Sequence, residues 1–221
     1  MTKQYVTTIY NKYDKKLIAD LPRVLFEGRV IVIQTPGEAR RAVDYLLRFP
    51  RLGIDTETRP NFRPGGMNPV ALLQVSTPDT CFLFRLNIMG LTTDLLRLLT
   101  NRKVLLVGLS LHDDWAQLRR RAEFKPGNFI DLQDYVKPLG IEDMGLQKLY
   151  ANIFHQKISK GQQLTNWEAD VLSEAQKRYA ATDAWACLRL YDEITRLKAE
   201  QDYQLVKERT LPPAPPCEGG K

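Results

Sequence analysis

Asp55 and Glu57, Asp114, and the pair Tyr179 and Asp183 are the residues whose types and spacing could gather a divalent cation. The first two close the run Arg51-Leu-Gly-Ile-Asp-Thr-Glu-Thr58, a short apolar stretch bounded by turn formers that reads as a buried strand. Residues two apart on a strand share a face, so Asp55 and Glu57 aim together. Two like charges at the end of a buried strand repel and lose hydration, and a bound cation relieves both costs. The plainer reading is a strand running out into solvent, since a D-x-E triplet arises by chance about once in a chain of this length.

Helices must position the other three. Ser110 to Arg121 reads as a helix with Leu111, Trp115, Leu118 and Ala122 on one stripe. Asp114 lies on the edge of that stripe, while Asp113 falls on the opposite side with Gln117 and Arg120. Asp114 is therefore the inward carboxylate and Asp113 the solvated one. The helix N-terminus would stabilise a carboxylate at Asp114 without any metal, and this stretch alone leaves both readings open. Tyr179 and Asp183 are stacked on one face of a helix that opens with the capping-box spacing Ser173-x-x-Gln176 and runs to about Gln201. Its apolar stripe is Ala180, Ala184, Cys187, Leu188, Tyr191 and Ile194, so the pair sits where the helix borders a sheet. The Y-x-x-x-D spacing alone is weak, because Tyr10 and Asp14 repeat it in a polar arm. Together, four carboxylates and a phenol can hold two divalent ions roughly 4 Å apart, a clamp on the attacking and leaving oxygens of phosphodiester cleavage. All-oxygen ligation suits magnesium or manganese. His112 and His155 are too isolated to suggest zinc, and a solvated or capping role suits each better.

The remaining elements follow from local signals. Arg29 to Gln34 is strand-like, and Thr35-Pro-Gly-Glu38 opens a helix to about Phe49 by its capping box and Pro at the first helical position. Val70 to Ser76 and Thr80 to Phe84 read as strands joined at Pro78-Asp79, which with the Asp55 strand makes an antiparallel meander. Thr93 to Leu99 reads as helix and Lys103 to Val107 as strand, so a parallel portion joins the meander in one mixed sheet. From Asp131 onward the pattern is helical almost to the end, with a further capping-box spacing at Thr165-x-x-Glu168. Residues 1–27 read as a polar arm, 28–204 as the domain, and 205–221 as a Pro-rich disordered tail.

At 43% hydrophobic residues the chain can bury one substantial α/β core. Its net charge of +6 is a weak vote for a polyanionic partner. Three cysteines without C-x-x-C spacing fit a reducing compartment, and a polar N-terminus without a long apolar run leads us to expect a cytoplasmic protein.

The set Ile54-Asp-Thr-Glu57, Val107-Gly-Leu-Ser-Leu-His-Asp-Asp114 and Tyr179-Ala-Ala-Thr-Asp183 resembles the three exonuclease motifs of the DEDD superfamily, in its tyrosine-containing branch. The chain is similar to ribonuclease D and, more closely, to the exonuclease domain of the Werner helicase, over about residues 28–198. Supporting text includes Leu72-Leu-Gln-Val75, Leu164-Thr-Asn-Trp167 and Leu172 to Ala180. The resemblance implies a ribonuclease H-like mixed β-sheet flanked by α-helices, and 3′ to 5′ release of nucleoside 5′-monophosphates. It implies Asp55, Glu57, Asp114 and Asp183 as metal ligands for two magnesium or manganese ions, with Tyr179 orienting the attacking water. In the Werner-like pattern the tryptophan stands two residues after the ligand aspartate, whereas Trp115 follows Asp114 directly; alignment on Trp115 makes Asp113 the ligand instead.

For the terminal nucleotide, the candidates are the Thr56 to Thr58 backbone, Leu111, His112 and Phe62 in the 59–68 loop, because apolar and aromatic surfaces stack on bases without reading sequence. Lys157 and Lys160 are candidates for backbone phosphate. Nucleic-acid 3′ ends are the expected partner, DNA ahead of RNA, with ribonuclease D-like RNA trimming as the alternative. Helicase or other repair and processing proteins are the further partners the resemblance suggests. A nucleic-acid-binding module with little catalysis, or a metal phosphatase, would use the same residues, but no ligand is missing and the motif order gives a phosphatase no support.

Overall fold

A computed structural model describes residues 6–62, 66 and 68–207. Eight strands and seven α-helices occur among them: β1 (Thr7–Tyr10), β2 (Arg29–Ile33), α1 (Pro36–Leu46), β3 (Arg51–Thr58), β4 (Val70–Ser76), β5 (Thr80–Arg85), α2 (Leu86–Met89), α3 (Thr93–Leu99), β6 (Leu105–Gly108), α4 (Leu111–Arg119), β7 (Phe129–Asp131), α5 (Leu132–Tyr135), α6 (Leu146–Phe154), α7 (Glu174–Glu200) and β8 (Tyr203–Val206).

Six strands form one sheet in the order β2-β5-β4-β3-β6-β7. The expected meander is there: β3 pairs antiparallel with β4, and β4 with β5. The parallel portion is β3-β6-β7, while β2 runs parallel to β5 at the other edge. β4 and β5 are buried along their whole length, which fits their mainly apolar sequence. One face of the sheet packs on α1, α3 and α4 through Leu52, Ile54, Leu73, Val75 and Phe84. The opposite face is covered by α7 through Leu72, Leu83, Ala180, Ala181 and Ala184.

Both predicted capping boxes that open helices are formed. Thr35 and Glu38 exchange side-chain and backbone bonds at the start of α1, with Pro36 in the first turn, and Ser173 and Gln176 do the same for α7. The Thr165 to Glu168 spacing opens no helix. The Thr165 hydroxyl instead donates to the Gln162 carbonyl at 2.8 Å and accepts from the Gln176 amide at 3.0 Å, and Trp167 drops into the core. The expectation of nearly continuous helix after Asp131 thus fails over residues 155–173, where side-chain bonds hold an irregular segment.

The arm is more ordered than its composition implies. β1 pairs in parallel with β8, a 3-10 turn spans Lys15–Asp20, and Ile9, Tyr13, Ile18 and Phe26 are buried. Leu205 and Val206, expected in the tail, belong to β8; residues 208–221 and positions 63–65 and 67 of the expected 59–68 loop lie outside the described residues. No helix among the described residues is long and apolar enough to cross a membrane.

Candidate active site

β3 alternates between the two faces of the sheet. Leu52 and Ile54 enter the core beneath α1 and α3, and Gly53, Asp55 and Glu57 face α7. α7 can approach only because residue 53 is glycine: a Cβ there would lie 2.0 Å from the Ala184 carbonyl oxygen. Asp183, next to Ala184, is thereby laid against Asp55 and Glu57. One oxygen from each of these three carboxylates lies within 4.8 Å of the others.

Asp114 enters from the other side of the strand. β6 ends at Gly108, Ser110 takes a left-handed conformation (φ 60°), and α4 then points its first turn at the end of β3. The Thr56 hydroxyl donates to Asp114 Oδ1 at 2.6 Å, tying the second motif to the first. Asp114 is half-buried and Asp113 exposed, so the geometry turns Asp114, not Asp113, toward the cluster.

The electrostatics are those of crowded, buried carboxylates. Burial, then Asp183, Glu57 and Asp114, drive the Asp55 carboxyl well above the ordinary carboxylate range. Burial followed by Asp183 and Asp114 pushes Glu57 up to about 9. Burial raises Asp183 to about 7 although Tyr179 and Lys160 oppose it, and raises Asp114 to about 7 although the Thr56 hydroxyl opposes it. Asp183 Oδ1 is buried and has no hydrogen-bond partner among the described residues. A buried carboxylate oxygen with nothing to bond, in a cluster that resists ionising, fits a divalent cation held by oxygen ligands. Tyr179, packed on buried Trp167 with ring centroids 6.0 Å apart, has its hydroxyl pKa raised by burial, Asp183 and Glu57, so it stays protonated.

These groups open onto a cleft of about 350 Å³, lined by Asp55, Thr56, Glu57, Tyr179, Asp183 and, on its far wall, Met144–Gln147 and Ile158–Lys160. A larger hollow of about 640 Å³ lies at the sheet edge between β2 and α1 and holds none of the clustered carboxylates.

The remaining expected contacts divide. Thr56 and Lys160 line the cleft, Thr58 is the last residue of β3, just after a register shift, and Phe62 is 84% exposed. The structure does not bring Leu111, His112 or Lys157 to the cleft. Leu111 is fully buried in the core, His112 faces Asp134 at 3.5 Å and the edge of Phe129, and the Lys157 ammonium is held by the Ala19 carbonyl.

Two residues went unread in the sequence. Gly53 had a signal, a glycine inside a strand, which marks close backbone approach. Gln74 sits directly opposite Asp55 on β4, fully buried, with both amide atoms unpartnered among the described residues. Its signal was a polar residue inside an apolar strand.

The family model for 3′-5′ exonucleases matches residues 30–198. The chain belongs to the 3′-5′ exonuclease family. Among its relatives, the mouse bifunctional 3′-5′ exonuclease/ATP-dependent helicase WRN is 29% identical over 176 residues, 72% of this chain and 13% of that protein. Ribonuclease D of Haemophilus influenzae is 33% identical over 108 residues, 48% of this chain and 27% of the relative. The chain thus spans under a third of either protein. The exonuclease (EXO) domain of Aedes aegypti Nibbler superposes with a TM-score of 0.69 at 23% identity, covering 79% of this chain and 91% of that one. The fold is the ribonuclease H-like fold of these exonuclease domains, a mixed sheet flanked by helices. Members of the family are hydrolases, and the cluster of Asp55, Glu57 and Asp183 is an acidic site of the kind a divalent metal occupies.

Proposed function

We propose that this protein removes nucleotides from the 3′ end of nucleic acid by divalent-metal-dependent hydrolysis, releasing nucleoside 5′-monophosphates. The observation that carries the reading is the convergence of Asp55, Glu57 and Asp183, within 4.8 Å of one another, on a cleft shared with Tyr179. Asp55, Glu57, Asp114 and Asp183 are the ligand set we assign. Bound there, one or two magnesium or manganese ions supply Lewis-acid chemistry, polarising phosphoryl oxygens and making water a better nucleophile.

The chain's own groups do the rest. Tyr179 is kept protonated, so it donates a hydrogen bond and orients the attacking water rather than removing its proton. Lys160, exposed on the cleft wall, offers a positive charge to backbone phosphate. Thr56 holds Asp114 and leaves its backbone at the cleft for the terminal nucleotide. Phe62, four residues beyond the end of β3, provides an exposed ring on which a base can stack.

DNA is the substrate we favour over RNA. Support for this is the likeness, over 176 residues each, to the mouse helicase-exonuclease and to DNA polymerase I of Aquifex aeolicus, while the likeness to ribonuclease D of Xanthomonas oryzae over 157 residues supports RNA as the alternative. A side-by-side time course on matched DNA and RNA oligonucleotides, single-stranded and 3′-recessed, tests it. The 3′-recessed DNA strand is expected to shorten at least as fast as matched RNA. Much faster shortening of RNA in every format would make ribonuclease D-like trimming the better account.

A further inference from the structure

The family match begins at residue 30, yet the stretch of chain before it is bonded to both walls of the cleft. On the far wall, the Val24 N–H donates to the Lys157 carbonyl at 3.0 Å and the Lys157 N–H to the Pro22 carbonyl at 2.9 Å, around a parallel bridge between Arg23 and Lys157. Ile158, Ser159 and Lys160, which line the cleft, follow directly. On the α7 wall, the Phe26 N–H donates to Thr182 Oγ1 at 3.0 Å, and the Arg178 guanidinium donates to the Phe26 and Gly28 carbonyls at 3.0 and 2.9 Å. Thr182 in turn donates to the Arg178 carbonyl at 2.6 Å. Arg178 and Thr182 are the residues immediately before Tyr179 and Asp183. The Phe26 ring is buried and packs against Trp185, centroids 5.9 Å apart.

Residues 156–160 carry no helix or ladder of their own, so their distance from α7 is set by what they are bonded to. The Gln147 amide holds the Ile158 carbonyl at 2.7 Å; residues 22–24 supply the backbone pairing. Between the two attachments, Arg23 and Leu25 share a crevice of about 50 Å³ with Ile158, Ser159 and Tyr179.

We propose that residues 22–28 are a spacer that fixes the width of the cleft, with Phe26 and Thr182 as positioning residues for strand binding. The proposal rests on the exonuclease reading. It separates two functions of the site. The cation is gathered by β3, α4 and α7, which contact one another and the sheet directly, with Phe26 only at the margin of that packing, whereas the strand is gripped between α7 and the wall the spacer holds. Loosening the spacer therefore weakens strand binding and leaves cation binding alone.

The test compares the full chain with Thr182→Val, Thr182→Ser and Val24→Pro. Each protein is assayed for KM and kcat on a labelled oligonucleotide, for Kd of the same oligonucleotide by anisotropy with calcium, for manganese binding by calorimetry, and for Tm. Thr182→Val removes the acceptor for the Phe26 N–H; Val24→Pro removes the donor to Lys157. Both should raise KM and Kd about five- to tenfold, the effect of one lost buried hydrogen bond, with manganese binding unchanged. Thr182→Ser keeps the hydroxyl and should restore both constants. Unchanged KM and Kd in either disruptive variant would overturn the proposal, as would a loss of kcat that merely tracks Tm. A parent protein that binds the oligonucleotide but never shortens it would count against the exonuclease reading, and the Kd comparison would still decide the spacer.

Discussion

Crowding of like charge distinguishes Asp55, Glu57, Asp114 and Asp183 from ordinary surface acids. Replacing any one of them with alanine should abolish metal-dependent cleavage while the metal-free protein keeps or gains stability, because each removed charge relieves repulsion in a buried cluster. Parallel melts and cleavage assays check this, and a variant that loses activity only by unfolding would contradict it. Asp113→Ala should stay active, since Asp113 is exposed and Asp114 accepts the Thr56 bond. A dead Asp113→Ala beside an active Asp114→Ala would reverse the assignment. Tyr179→Phe removes only the orienting hydroxyl, so kcat should fall about a hundredfold with metal affinity intact. These residues were legible in the sequence because each is fixed by local spacing: i, i+2 on a strand, i, i+4 on a helix, and the inward edge of an amphipathic turn. Leu111, His112 and Lys157, expected at the terminal nucleotide, do not line the cleft, for the opposite reason. Sequence proximity to a ligand does not say which way a side chain points, and in α4 the residue three before Asp114 faces the core.

At the scale of elements, one contact decides the geometry, the packing of α7 on β3 across Gly53. Gly53→Ala would drive a methyl into the Ala184 carbonyl, so α7 must shift and carry Asp183 away from Asp55. We expect a loss of about 1–3 kcal/mol of stability from overpacking, together with weakened manganese binding. Calorimetry and denaturant melts measure the two, and unchanged affinity would show that α7 finds another way to sit. The strands and the capped helices were readable because β-branched runs and capping boxes are local signals. The irregular 155–173 segment was not. Its order comes from Arg85, fully buried and donating to the Ala169 carbonyl at 2.5 Å and the Asp170 carbonyl at 3.3 Å, and from Trp167 behind Tyr179, which are contacts between residues far apart in sequence. β8 was missed likewise, because its partner β1 lies at the other end of the chain.

For the whole molecule, the raised carboxyls make metal-free stability depend on pH. Unfolded, these groups titrate near 4; folded, Asp114 and Asp183 titrate at about 7 and Glu57 at about 9. Between those limits the folded state binds more protons than the unfolded one, so stability should fall as pH rises from about 4 through about 9. A saturating divalent cation replaces the protons and should flatten the profile, which melts with and without magnesium would show. The most direct test of the central claim is the product series from a 5′-labelled oligonucleotide incubated with magnesium or manganese, with released nucleotides identified by chromatography. The account predicts a ladder shortened one nucleotide at a time from the 3′ end, nucleoside 5′-monophosphates as products, and no reaction in chelator or with Asp55→Ala. An intact oligonucleotide under both metals, or cleavage that persists in Asp55→Ala, would contradict it.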